Sequence, residues 1–352
     1  MFDFIVVGAG LAGVSFCNVL EQNGKSFCLI SDNSQIASLV AGGVYNPVVL
    51  KRFTAVWKAN EQMSLLSSFY GEIERKINRK INISIPILRK FTSVEEQNNW
   101  FCASDKDVLS AYLSPEIISE NNKCIQAPFG FGKVLNTGRL DVKTYLQECT
   151  KRWKDESVFH QRRFDYQELE INSNKVSYQG VSARNLVFCE GYGVVQNPFF
   201  NYLPMKPCKG ETLTFYAPDL QLDEIVKSDG VILPIGDDFY KIGATYEWND
   251  LSDTITEKAK NELLEKLNKL ISCKYEITEQ EASVRPTVSD RRPLVGKHPD
   301  YQNIWILNGL GTRGVMNAPF VAKKLYEMVY ENKPMDKEMN VERYKKYIKF
   351  DF

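Results

Sequence analysis

Six residues near the start, Gly8-Ala9-Gly10-Leu11-Ala12-Gly13, constrain the fold more than any other stretch of the 352-residue chain. They directly follow Phe4-Ile5-Val6-Val7, an apolar run of strand-forming residues. After them Val14, Cys17, Val19 and Leu20 form a helical apolar stripe, Gly24 stops the helix, and Phe27-Cys28-Leu29-Ile30 reads as a second buried strand. Strand, glycine turn, helix and strand fit into about 30 residues, the size of a βαβ unit. In such a G-x-G-x-x-G the first glycine permits the tight turn, the second lets backbone approach a pyrophosphate, and the third lets helix and strand pack closely. The anion then sits on the N–H groups and positive dipole of the helix N-terminus. The pattern alone is weak, and its place between strand and helix makes it a dinucleotide signature. A Glu or Asp normally ends the second strand and bonds the ribose hydroxyls. Here Ser31 holds that position and Asp32 follows, so Asp32 is the candidate after a small backbone shift, with a plain turn residue as the alternative.

Composition narrows the class. With 43% hydrophobic and 25% charged residues the chain has the balance of a globular protein, and its length allows two domains. Lys+Arg and Asp+Glu both number 44, so no sustained basic field points to nucleic acid, although a local basic patch stays open. The eight cysteines are scattered without a C-x-x-C pair, and only His160 and His298 accompany them, so no metal site is expected. As small buried hydrophobes the cysteines suit a reducing cytosol. Asp3 interrupts the first apolar run and no 18-residue apolar run occurs, so the expected location is the cytoplasm, with no membrane partner.

Further along, the pattern is helical from Met63 to Ile77. Ile81, Ile83, Ile85 and Ile87 then alternate as a half-buried strand that Pro86 confines to an edge or bulge. Gly138-Arg139-Leu140-Asp141 reads as a turn and N-cap for a helix with Tyr145, Leu146, Cys149 and Trp153 on one face. Asn185 to Cys189 is a buried strand closed at Gly191. Glu211–Tyr216, Val231–Ile235 and Phe239–Tyr246 suggest an antiparallel sheet, followed by an amphipathic helix with Ala259, Leu263, Leu264, Leu267 and Leu270 on its buried face. The chain closes with a second strand, glycine loop and helix: Ile304-Trp305-Ile306-Leu307, then Gly309-Leu310-Gly311-Thr312-Arg313-Gly314, then Val321, Leu325 and Val329.

Taken in order, several segments resemble the FAD-dependent D-amino acid oxidase superfamily, with features like glycine oxidase and like the FAD domain of bifunctional tRNA wobble-uridine modification enzymes. The likeness rests on Gly8 to Gly13, Ala41-Gly42-Gly43-Val44-Tyr45-Asn46-Pro47, Lys209-Gly210-Glu211, Gly243-Ala244-Thr245, Val284-Arg285-Pro286 with Asp290 and Pro293-Leu294-Val295-Gly296, and Asn308 to Gly314. It implies an α/β fold: a Rossmann-like FAD-binding domain of glutathione reductase type, interleaved with an antiparallel-sheet (α+β) substrate domain. The first would comprise residues 1–78, 137–205 and 284–352, and the second 79–136 and 206–283. It implies that FAD meets Gly8, Gly10, Leu11, Ala12, Gly13, Ser31 and Asp32 at one end. Gly42, Gly43, Val44 and Gly191 would line the flavin region. The loop Gly309, Gly311, Thr312, Arg313, Gly314 and Val315 would meet the ring, where a helix dipole favours the anionic reduced form. Arg285 matches the arginine that binds the substrate carboxylate, a bond worth roughly 1.5–3 kcal/mol. Arg313 is the second catalytic candidate, and Lys51 and Arg52 could add positive charge to the substrate pocket or serve as surface residues.

The departures shape the reading. The second glycine oxidase arginine falls on Thr312, a tyrosine of that enzyme falls on Val231, and the covalent-flavin cysteine of monomeric sarcosine oxidases falls near Ser283, so FAD is expected to be non-covalent. The expected function is oxidation of the C–N bond of a small amino acid or secondary amine by hydride transfer to flavin N5, with oxygen or a carrier as electron acceptor. One alternative is oxidation of a carboxymethylaminomethyl group on a tRNA wobble uridine, which the neutral charge and the lack of a fused methyltransferase domain count against. Another is a non-catalytic flavin-binding protein. No feature specifies an oligomeric state.

Overall fold

A computed structural model describes residues 1–32, 34, 36–119 and 122–347. The opening apolar run forms the strand Phe2–Val7, flanked in parallel by Phe27–Ser31 and by Val181–Phe188. Its residues alternate between two cores: Phe4 and Val6 face one, Ile5 and Val7 the other, and all four are buried. Burial on both faces is why the strand reads as continuously apolar. Phe159–Gln161 extends the sheet beyond Phe27–Ser31. The far edge of Val181–Phe188 is shared. Its first half pairs antiparallel with Val176–Tyr178, and its second half pairs parallel with Ile304–Asn308. Among the described residues five parallel strands therefore end on one side, at Val7, Ser31, Gln161, Phe188 and Asn308, where ligands of open α/β sheets bind.

The helices Leu11–Gln22 and Gly314–Tyr330 pack together over one face, joined by Ala59–Ile77 and Val142–Asp155. Tyr70 donates from its buried hydroxyl to the Val315 carbonyl at 2.8 Å, fixing the start of the last helix. Asp141 caps Val142–Asp155 by accepting from the Thr144 amide, as its sequence predicts.

A second eight-stranded sheet runs in the order Glu276–Arg285, Cys208–Tyr216, Phe239–Gly243, Val231–Gly236, Ile225–Lys227, Ile87–Lys90, Phe131–Val134, Leu113–Ile118. The helix Glu257–Asn268 covers it through Leu263 and Leu267, while Leu264 is only half-buried. We propose that the chain divides into two interleaved domains along these two sheets, near the boundaries given above.

One expectation is corrected. The isoleucine alternation is not one edge strand: it breaks at Ile85-Pro86 into Asn82–Ser84, which joins a separate three-stranded sheet, and Ile87–Lys90, which lies inside the large sheet. Proline has no N–H to continue a ladder, so the chain changes sheets there. The strand Glu276–Arg285 gives no alternating apolar signal, because most of its early residues are polar and exposed or half-buried. Among the described residues no helix is long and apolar enough to cross a membrane.

Candidate functional site

Gly8 has φ +106°, and a Cβ there would lie 2.5 Å from the Cys189 carbonyl oxygen. A Cβ on Gly13 would lie 1.9 Å from the Gly8 oxygen. Only glycine allows the helix to seat so close to the strand. The helix then starts at Gly10 with no side-chain cap and no acidic residue in its first turn, and the Leu11 amide donates to Ser38 Oγ at 3.2 Å. The last helix begins after Arg313, again with no side-chain cap. Both N-termini open on one cavity of about 580 Å³. Apart from the Leu11 amide, which Ser38 takes, these two helix starts leave amides and dipoles for whatever occupies it.

The residues singled out from sequence distribute along that cavity. Gly8, Gly10, Leu11 and Ala12 line one end with Ser31 and Asp32. Gly42, Gly43, Val44 and Gly191 line its length, and Gly311, Thr312, Gly314 and Val315 close it against the last helix. Asn308 Nδ2 donates to the Gly191 carbonyl at 3.0 Å, tying the two turns together. Gly13 and Gly309 lie behind the lining as packing positions; a Cβ on Gly309 would meet Val288 at 2.7 Å. Lys51 and Arg52 are exposed on the turn after the short strand Val48–Val49 and are not brought to the cavity. Arg313 also stands off the lining, near Tyr246 and Arg291, with its pKa lowered by burial.

Arg285 ends its strand at the cavity's far end. Nη1 donates to the carbonyls of Lys209 and Thr245, and Nη2 to Thr245, all at 3.3 Å; the guanidinium stacks over Tyr246 at 4.8 Å. Of its five N–H donors, the parallel pair on the Nε–Nη2 edge has no partner among the described residues, which is the fork a carboxylate matches. A Cβ on Gly210 would lie 1.8 Å from Nη2, so this placement requires glycine there.

The structure adds residues that sequence reasoning missed. Thr212 is buried on the lining with Oγ1 unpartnered among the described residues, and Lys241 reaches the lining paired to Glu281 at 2.5 Å. Leu233 approaches Gly42, where a Cβ would touch it at 3.0 Å. Arg163, Tyr166 and Glu190 join Asp32 at the dinucleotide end. Burial raises the Asp32 carboxyl, but hydrogen bonds from Ser34 outweigh that and leave it below its usual value. Glu190 goes the other way: burial lifts it from 4.5 to about 7, only partly offset by bonds from Asn197 and Tyr166. Only Glu190 had a local signal, as the acid between a buried strand and Gly191.

These features fit a flavin dinucleotide. The cavity is within the size of small-molecule sites, its middle is walled by glycines that let a flat ring approach backbone, and its two uncapped helix starts suit anions. The family model described as FAD dependent oxidoreductase (DAO) matches residues 3–328. The chain is similar to the glycine oxidase of Bacillus subtilis, 25% identical over 155 residues, covering 42% of this chain and 41% of that protein. It is also similar to the tRNA 5-methylaminomethyl-2-thiouridine biosynthesis bifunctional proteins of Marinobacter nauticus (28% over 140 residues, 36% of this chain and 22% of that protein) and Haemophilus ducreyi (23% over 397 residues, 95% and 56%). The chain thus spans from about a fifth to rather over half of the length of these curated relatives. In fold it resembles the solved glycine oxidase of Geobacillus kaustophilus (TM-score 0.78, 16% identity, 95% of each chain). It likewise resembles the iminodiacetate oxidase of Chelativorans (TM-score 0.74, 18% identity, 97% of this chain and 98% of that one).

Proposed function

Because the chain belongs to the FAD-dependent oxidoreductase (DAO) family, we propose that it oxidises the C–N bond of a small amino acid or secondary amine. It is an FAD-binding oxidoreductase by that membership. The observation that carries the substrate reading is the unpartnered Nε–Nη2 edge of Arg285, a residue that lines the same cavity as the glycine turn of the dinucleotide site.

FAD held along the Gly8–Gly10 turn and the Gly42-Gly43 wall would supply the electron chemistry, taking up the two electrons and hydride that the amine loses. The chain's own residues supply position. Arg285 holds the carboxylate at two points, which fixes the C–H direction, and its backbone anchors at Lys209 and Thr245 keep the guanidinium from rotating. Thr212 Oγ1 offers a hydroxyl to the amine side, and Leu233 and Val231 exclude water around the reacting carbon. With the amine neutral, no general base is required, and the imine product hydrolyses. Ser283 offers no thiol on the lining, which supports non-covalent FAD.

A second reading has its own observation. Tyr246 (61% exposed) lines the mouth beneath Arg285, and Trp248 (45% exposed) follows with Lys206 over its ring at 5.7 Å. A basic and aromatic rim of this kind suits stacked bases of single-stranded RNA, so a tRNA-borne amine is the alternative substrate. The deciding experiment is an anaerobic screen of amino acids, secondary amines and tRNA for bleaching of the bound flavin. Reduction by small amines that Arg285→Ala abolishes supports the first reading. Bleaching by tRNA alone replaces it with the second, and a flavin that none of them bleaches supports a binding role.

A further inference from the structure

The strand Val181–Phe188 runs out beside the glycine turn. Cys189 gives its amide to the Val7 carbonyl at 2.7 Å, and the next residue, Glu190, lines the dinucleotide end of the cavity. There it is held by two neutral donors, Tyr166 Oη to Oε1 at 2.6 Å and Asn197 Nδ2 to Oε2 at 2.7 Å. No Lys, Arg or His forms an ion pair with it among the described residues. A carboxylate has about four lone-pair sites, so two acceptor positions remain after these bonds. Glu190 lies deep yet keeps partial exposure, because it opens on the cavity itself.

The neighbouring acid is differently placed. Asp32 is exposed and spends Oδ1 on the Ser34 amide of its own loop at 2.9 Å. Ser31, at the end of the second strand, has no negative charge to offer. We propose that Glu190 is the carboxylate that receives a hydrogen bond from the adenosine half of FAD, taking from the end of the Val181–Phe188 strand the task usually done from the second strand. A carboxylate repels phosphate, so its ligand in this part of the cavity is a neutral donor: a ribose hydroxyl or the adenine amino group. Tyr166 is a positioning residue, bonded to Glu190 from the short helix Tyr166–Glu168 that follows the strand beside Phe27–Ser31. The inference is independent of which amine is oxidised.

The test compares FAD and ADP affinity of the full chain, by ultrafiltration of released flavin and by ADP displacement, with FMN as the ligand lacking adenosine. Glu190→Gln keeps the shape and loses the charge. It should weaken FAD and ADP alike by about tenfold or more and leave FMN unchanged. Asp32→Asn should stay within about twofold. Tyr166→Phe, which keeps the Glu190 charge, should give a smaller loss with the same ligand pattern, and it serves if Glu190→Gln does not fold. Unchanged FAD and ADP affinity in Glu190→Gln, an equal loss for FMN, or the loss appearing in Asp32→Asn instead would overturn the proposal.

Discussion

Gly210→Ala tests the substrate anchor without touching it. In the ladder Gly210 stands opposite Ser283, and the Arg285 side chain folds back over it. An alanine Cβ would lie 1.8 Å from Nη2, 2.2 Å from Cζ and 2.4 Å from Nη1, distances no pair of atoms sustains. The backbone at 210 is not in the left-handed region, so the strand accepts alanine and the flexible guanidinium moves instead. Moving it breaks the bonds to the Lys209 and Thr245 carbonyls and removes the open fork from the cavity. A charge-assisted carboxylate bond of about 1.5–3 kcal/mol is lost, so kcat/KM for a carboxylated amine should fall about 10- to 150-fold. The assay is stopped-flow flavin reduction, anaerobic, in Gly210→Ala, Arg285→Ala and the double variant. Both single variants remove one interaction, so the double should be no worse than either. Wild-type reduction by Gly210→Ala, or losses that multiply in the double variant, would refute the reasoning.

Gly13→Ala places a Cβ against backbone that cannot swing away, so it should cost about 1–3 kcal/mol or more and give protein with little bound flavin, read from the absorbance ratio. Tyr70→Phe removes the buried bond to the Val315 carbonyl and should lower stability by about 1 kcal/mol in urea titration, without loss of bound FAD. The Glu190 carboxyl, raised to about 7, keeps a proton in the folded chain that the unfolded chain releases from about pH 4.5. In flavin-free protein it therefore contributes nothing below that pH, and its burial penalty grows to at most about 3 kcal/mol as pH rises to 7 and above. Glu190→Gln should accordingly melt higher than wild type by a margin that widens between pH 5 and 7; a constant margin would count against the shift.

Sequence alone determined the local parts. Phe4 to Gly13 specifies strand, turn and helix because each signal involves residues a few positions apart, and the structure has that strand, turn and helix in that order. The closing strand and loop at residues 304–314 were legible for the same reason. Tertiary structure decided what crosses between segments. Gly210 and Arg285 meet only through the register of a strand whose polar sequence hides it. Glu190 reaches Asp32's end of the cavity only because strands far apart in sequence run parallel and stop together. Lys51 and Arg52, close in sequence to Gly43, are carried away by a two-stranded hairpin. Periodicity and turn chemistry act over neighbouring residues, whereas a site is assembled by packing between distant ones, and that information lies in the contacts rather than in any one stretch of chain.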